Sequence, residues 1–343
     1  MHREIAVFAG TALALGALAA ASSDPGPVLL RAPVGAAVAD ASIDDLAALD
    51  TVPEACWAEL RTKHIYFAHQ AVGGNIVRGL EEAMRRRPSI NLAILPVKNG
   101  TTVPAEGGGD EKSKREQKRE QKRENEKPFA PPSAASFAQA GIVHGASGPD
   151  GDPEEKIDMF ARFLRSPAAE QVDIAVLKLC YADIERSTDI DKLVEHYANT
   201  VKLLVLERPN LRIVHCTVPL KEHEHGAKAA MKKLVGAGGD AINAVRGRYN
   251  DALRRKYAAD EILDIAAAES TRADGSRVTF AVEGVHWPAL ASEYTDDGGH
   301  LNAKGQLAVA REMLLALSRT CTKPAETKPA TGVAIEPTEG SGR

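Results

Sequence analysis

The sequence predicts an α/β domain: a five-stranded parallel sheet with helices on both faces. Three observations carry this. Residues 63–82, KHIYFAHQAVGGNIVRGLEE, read as strand, tight turn and helix. Residues 172–179 form an apolar run broken only by Asp173 near its start and by Lys178, as expected of a strand covered on both faces. Strand-like and helix-like segments then alternate five times along the chain, the pattern of parallel strands joined by helical crossovers.

The elements follow in order. His2-Arg3 precedes an apolar stretch over residues 5–21 that ends in small residues, so residues 1–21 read as a secretory signal cut after Ala21. The alternative is a membrane anchor, for which the segment is short and rich in Ala and Gly. No membrane span is expected in the mature chain, which would be secreted or periplasmic. Residues 22–42, rich in Pro, Ala and Gly, read as a linker to a single domain over 43–320. Leu46, Leu49, Trp57 and Leu60 lie at helical spacing interrupted by Pro53, which predicts two short helices. The first strand covers 64–68. Gly73-Gly74 breaks the chain, and Asn75 is expected to cap a helix whose apolar face is Ile76, Leu80 and Met84.

Residues 91–97, NLAILPV, read as the second strand, turned at Asn99-Gly100. The insertion 105–132 repeats Lys-Arg-Glu-Gln without an apolar face, so it cannot pack on a core and reads as solvated and disordered. An electrostatic tether to an acidic surface is the other reading. The Pro- and Gly-rich stretch that follows, up to Pro153, reads as loop. A helix over 154–164 buries Ile157, Phe160, Phe163 and Leu164. Beyond the third strand, the pattern predicts a helix over 191–207, a strand over 211–218, a helix over 241–258, a strand over 262–266 and a helix over 302–317. The tail 321–343 is polar and reads as disordered.

Net charge of −4 argues against a nucleic-acid partner, which needs a positive field. Export makes disulfides possible. Cys56 and Cys321 flank the α/β pattern and make a candidate bridge, whereas Cys180 and Cys216 end successive strands and read as buried thiols. Cys-x-x-Cys is absent, and neither a metal nor another cofactor is expected. His223 and His225 alternate with Glu in one loop and share a face if extended, which is a weak chelating pattern or simply a polar loop.

The chemistry concentrates in two places. In an α/β sheet, the turn after the first strand lies at the carboxyl edge, where ligands bind. His69, Gln70 and Ala71 occupy it. Near the end of the chain, Asp297 precedes His300 by three residues, just ahead of the last helix. Such an aspartate can hold one ring nitrogen and orient the other as a base. Trp287, Tyr294 and His286, just upstream, line a cleft or pack that loop.

Here the chain resembles the SGNH hydrolases, also called GDSL esterases, over residues 60–318. Their last block, Asp-x-x-His-Leu, matches Asp297, His300 and Leu301. The resemblance implies a flavodoxin-like three-layer sandwich and a site for a small-molecule or carbohydrate ester. It implies His300 as base and Asp297 as its orienting acid. Gly100 and the Ala71 amide would be oxyanion donors, and His69 and Gln70 would belong to the nucleophile turn. Asp183, in Cys180-Tyr181-Ala182-Asp183, would bond across to that turn and hold it closed. Two departures stand out: Ala71 replaces the nucleophilic Ser of a branch reading His-Gln-Ser-Val-Gly, and Ala182 replaces the oxyanion Asn. Ser270 and Thr271 are the alternative hydroxyls at the correct edge. Two activities stay open: an ester hydrolase, or a protein that keeps the cleft and binds without turnover.

Overall fold

A computed structural model describes residues 45–97, 131–225 and 238–321. The signal and linker readings, Gly100, nearly all of the charged insertion and the tail beyond Cys321 therefore lie outside the described residues. The chain enters through a 3-10 turn at Ala47–Thr51 and helix α1, Glu54–Leu60, separated at Pro53 as the sequence predicts.

Strand β1, His64–His69, leads into helix α2, Val72–Arg86. Next come β2, Ile94–Pro96, and β3, Gly141–Ala146. Helix α3, Pro153–Arg165, precedes β4, Ile174–Leu177, and helix α4, Ile190–Glu207. Then follow β5, Arg212–Cys216; α5, Gly239–Lys256; and β6, Ile262–Leu263. A short helix α6, Ile265–Ser270, precedes an antiparallel hairpin of β7, Thr279–Val282, and β8, Val285–Pro288. Helix α7, Ala303–Ser318, ends the domain.

The main sheet is parallel, with six strands in the order β2-β3-β1-β4-β5-β6. This corrects the five-strand expectation. The extra strand β3 falls in the stretch read as loop, and it pairs with β1 along its length, from His64 opposite Gly141 to His69 opposite Ala146. Two further expectations are corrected. The last strand keeps only Ile262 and Leu263, because Asp264 caps α6 by accepting from the Ala267 amide. Asn75 does not cap α2: Ala71 holds the cap position, and Asn75 lies buried inside the helix.

Successive residues of β1 point to opposite layers, which explains its uninterrupted apolar sequence. Ile65 and Phe67 join one core with α1, α2, α6 and α7. Tyr66 and Ala68 join the other, with α3, α4 and α5. Helices α2 and α7 cross closely at Gly79, where a Cβ would stand 2.2 Å from the Gln306 carbonyl oxygen. Cys56 and Cys321 are disulfide-bonded, with Cα atoms 5.6 Å apart, and this ties α1 to the residues after α7. Cys180 and Cys216 are buried free thiols. Among the described residues, no helix is long and apolar enough to cross a membrane.

Candidate functional site

The carboxyl ends of the parallel strands form one rim, and β1 delivers His69, Gln70 and Ala71 to it. Ala71 has φ 39° and ψ −98°, a conformation that costs a residue with a side chain about 1–3 kcal/mol. The surroundings impose it. The Gly73 and Gly74 amides donate back to the Gln70 and Ala71 carbonyls at 2.8 and 2.9 Å. Lys178 is fully buried, and its ammonium donates to the Gln70 carbonyl at 3.3 Å. The Gln70 side-chain amide donates to the Gly148 carbonyl in the loop after β3. Gly73 admits the His69 ring, since a Cβ there would fall 2.2 Å from its Cγ.

His69 is the last residue of β1 and is half-buried. Its ring stacks on that of His144, with centroids 5.4 Å apart, and the two rings share a 3.2 Å hydrogen bond between His69 Nε2 and His144 Nδ1. Burial, then the charges of His144 and Lys178, push its pKa well below the usual imidazole value. His69 is therefore neutral near pH 7, and its ring is paired with His144 rather than with His300.

The loop bearing His300 is wound around Asp297. One Asp297 oxygen accepts from His300 Nδ1 at 2.7 Å. The other accepts from the His300 and Gly299 amides at 2.8 and 3.0 Å. Partial burial raises the carboxyl pKa, but the bonds from the His300 ring, the His300 amide and the Gly299 amide outweigh it and hold the group at about 2. Thr295 Oγ1 supports the same loop, accepting from the Gly298 amide at 2.9 Å. Asn302 then caps α7, accepting from the Lys304 and Gly305 amides.

One hydrogen bond joins the two halves of the site. The amide of Leu301, next to His300, donates to Asn75 Oδ1 at 3.3 Å, one helical turn beyond Ala71. The Ala71 and His300 loops thus share one rim. The His300 ring also meets the ring of Tyr181 edge-on, with centroids 6.2 Å apart.

Asp183 is placed differently from the expectation. It does not reach the 69–71 turn. It is buried with Lys156, whose ammonium donates to both its oxygens at 2.8 Å. It also accepts from the Gly151 amide at 2.9 Å and from the Cys180 amide at 2.6 Å. Asp183 therefore anchors the loop after β3, and Gln70 ties the turn to that same loop through Gly148.

The other candidates disperse. Ser270 and Thr271 donate their hydroxyls to the Ala266 and Ala267 carbonyls of α6, at 2.6 and 2.8 Å. Trp287 packs on Gly247 of α5 and so holds the hairpin, and the Tyr294 hydroxyl donates to the Thr271 carbonyl at the end of α6. His223 lies 2.9 Å from Asp240 and stacks on Phe280. Among the described residues, no three His, Cys, Asp or Glu side chains converge as a metal site.

Sequence reasoning missed the cleft itself. Tyr181, Ala182, Ile184, Lys221, Ile242 and Arg246 line about 630 Å³ beside the His300 loop. These residues come from the loops after β4 and β5 and from α5, and no local spacing links them. A signal did exist for the supporting cations: Lys178 interrupts a strand-like apolar run, and Lys156 shares the apolar face of its helix with Phe160. A buried cation in either place needs acceptors close by.

No family model and no curated protein matches the chain. Solved structures give distant similarities. A candidate platelet activating factor from Streptococcus pneumonia is 14% identical, over 59% of this chain and 93% of that one, with a TM-score of 0.33. A candidate lipolytic protein of the G-D-S-L family from Desulfitobacterium hafniense DCB-2 is 14% identical, over 53% and 85%, at 0.31. A peptidoglycan O-acetylesterase is 16% identical, over 53% and 48%, at 0.32. At such scores these similarities add no weight to the site, which stands on its own geometry.

Proposed function

We propose that this chain is an exported protein of ester-hydrolase design that binds an acylated carbohydrate or another small ester without serine-type turnover. The observation that carries the reading is the turn at Ala71. It has a strained strand-to-helix geometry, and the resemblance puts the nucleophile at this position, where this chain carries only a methyl group. Loss of the nucleophile alone lowers turnover by about a million-fold in a serine hydrolase. Ala182, at the position of an oxyanion asparagine, removes a second contribution of roughly a hundred-fold or more. Export is supported by the apolar N-terminal stretch and by the Cys56–Cys321 bridge, since such bonds persist in oxidising compartments.

A second reading has its own observation. Asp297 holds His300 Nδ1, which orients Nε2 as the ring's basic nitrogen. A water activated there would make the protein a slow hydrolase. One experiment decides between the two. The secreted protein and its Ala71→Ser variant are assayed on a p-nitrophenyl ester series. The binding reading expects activity in the variant only, abolished again by adding His300→Ala. Wild-type turnover lost on His300→Ala establishes the second reading. Activity indifferent to His300 in both proteins refutes the site.

A further inference from the structure

We propose that the cleft beside His300 is an anion-recognising subsite, so that the bound ester carries a carboxylate or a phosphate on its non-reacting end. Only the word ester rests on the function proposed above. The cleft holds about 630 Å³, within the range of a small-molecule site. Its charged lining includes Lys221, Arg246, Arg186 and Glu185, and the cations that bear on the ligand are Lys221 and Arg246.

Lys221 is exposed, and its ammonium lies 5.0 Å from the centroid of the Tyr181 ring. Among the described residues it makes no hydrogen bond or ion pair with a carboxylate. Arg246 is only 5% exposed and forms one wall. Its guanidinium donates to neutral acceptors, the Tyr181 carbonyl at 2.9 Å and Asn243 Oδ1 at 3.4 Å. Burial lowers its pKa to about 10. Nearby Glu269 is no full counter-charge, because burial raises its carboxyl to about 8. Asp297 and Asp150 also face Tyr181, but Asp297 is bonded to His300 and Asp150 to Lys156. A buried guanidinium without a carboxylate partner is costly, and an anionic ligand removes that cost.

The geometry couples this wall to the reacting end of the site. A Cβ on Gly299 would lie 3.2 Å from Lys221 Cε and 3.7 Å from the Tyr181 hydroxyl oxygen, so both side chains pack on the residue before His300. The Tyr181 hydroxyl, whose pKa burial raises to about 12, remains a protonated donor beside them. An ester held with its acyl bond at the Ala71–His300 rim would place an anionic tail against Lys221 and Arg246.

The test is thermal unfolding of the full chain in monomethyl succinate, methyl phosphate, neutral dimethyl succinate, and sodium chloride at matched ionic strength. Expected is a saturable rise in Tm with one or both anions, and none with the neutral diester or chloride. Which anion acts at lower concentration identifies the tail as carboxylate or phosphate. Lys221→Glu and Lys221→Met, at an exposed position, should unfold like the parent without ligand yet bind at least about tenfold more weakly. No saturable shift with either anion, or an undiminished shift in both variants, overturns the proposal. The outcome is independent of catalysis: anion binding with no activity in Ala71→Ser keeps this subsite and refutes the ester-hydrolase design, and the converse result does the opposite.

Discussion

Asp183→Asn should be among the most damaging single substitutions in this protein, although it changes only one atom type. The carboxylate is buried and receives four hydrogen bonds: two from Lys156, one from Gly151 and one from Cys180. Breaking a buried ion pair by neutralising one partner costs about 3–5 kcal/mol, because the remaining charge stays buried. Lys156 is completely buried and retains one acidic contact, Asp150 at 3.0 Å, which favours the lower half of that range. An asparagine oxygen can keep one of the two amide bonds, and losing the other adds about 1 kcal/mol. The sum is about 4 kcal/mol, read as a fall in the urea midpoint at unchanged slope. Lys156→Met should cost a similar amount, since it strands the carboxylate instead. The double variant should lose clearly less than the sum of the two, by about 2 kcal/mol or more. A loss below about 1 kcal/mol for Asp183→Asn, or strict additivity, would refute the claim that this pair anchors the loop after β3.

Three further outcomes follow from the same coordinates. Gly73→Ala drives a methyl into the His69 ring and should cost roughly 2–3 kcal/mol in chemical denaturation, while Gly74→Ala, with open space around it, should be close to neutral. Glu269 titrates near 8 in the fold against an ordinary value of 4.5, so the folded state binds its proton more tightly. Its stabilising contribution is complete below pH 4.5 and is lost as pH rises to 8. Glu269→Gln keeps an acceptor for the Leu220 amide and should flatten the stability profile in that window. Finally, replacing Cys56 and Cys321 by Ser should cost about 2–5 kcal/mol in the oxidised protein, measured as a shift that reducing agent reproduces in the parent.

What the sequence made legible was local. The β4 run, the helix stopped near Pro209 and the Asp-x-x-His spacing each carry their signal within a few residues, and each is found close to the expected position. Strand β3 carries no such signal. Its residues, GIVHGA, include two glycines and sit in a Pro- and Gly-rich stretch, and its burial comes from lying between β2 and β1. One clue is in the sequence: α3 needs a strand to feed it in a β-α-β series, and the segment before it carries no strand pattern. Asn75 misled for a related reason. Asn favours caps when exposed, but here its side chain accepts from Leu301, a residue distant in the sequence. Lys221 and Arg246 meet only once β5 and α5 are packed, so their cleft has no sequence signature.

The restraints on Ala71 bear on why binding and turnover can separate in such a site. None of the hydrogen bonds described for the turn involves the side chain at position 71. Lys178 and the Gln70 amide grip the backbone from the sheet and from the loop after β3, and Gly73 makes room for His69 beneath it. The pair of Asp297 and His300 is likewise closed on itself by the Gly299 and His300 amides. On the proposed reading, an alanine in place of a hydroxyl residue therefore leaves both halves of the rim, and the cationic cleft beside them, under no pressure to relax. The strain of about 1–3 kcal/mol at Ala71 is borne by the fold as a whole rather than by the reaction. On the proposed reading, a cleft built this way would keep its shape for a ligand without serine-type turnover.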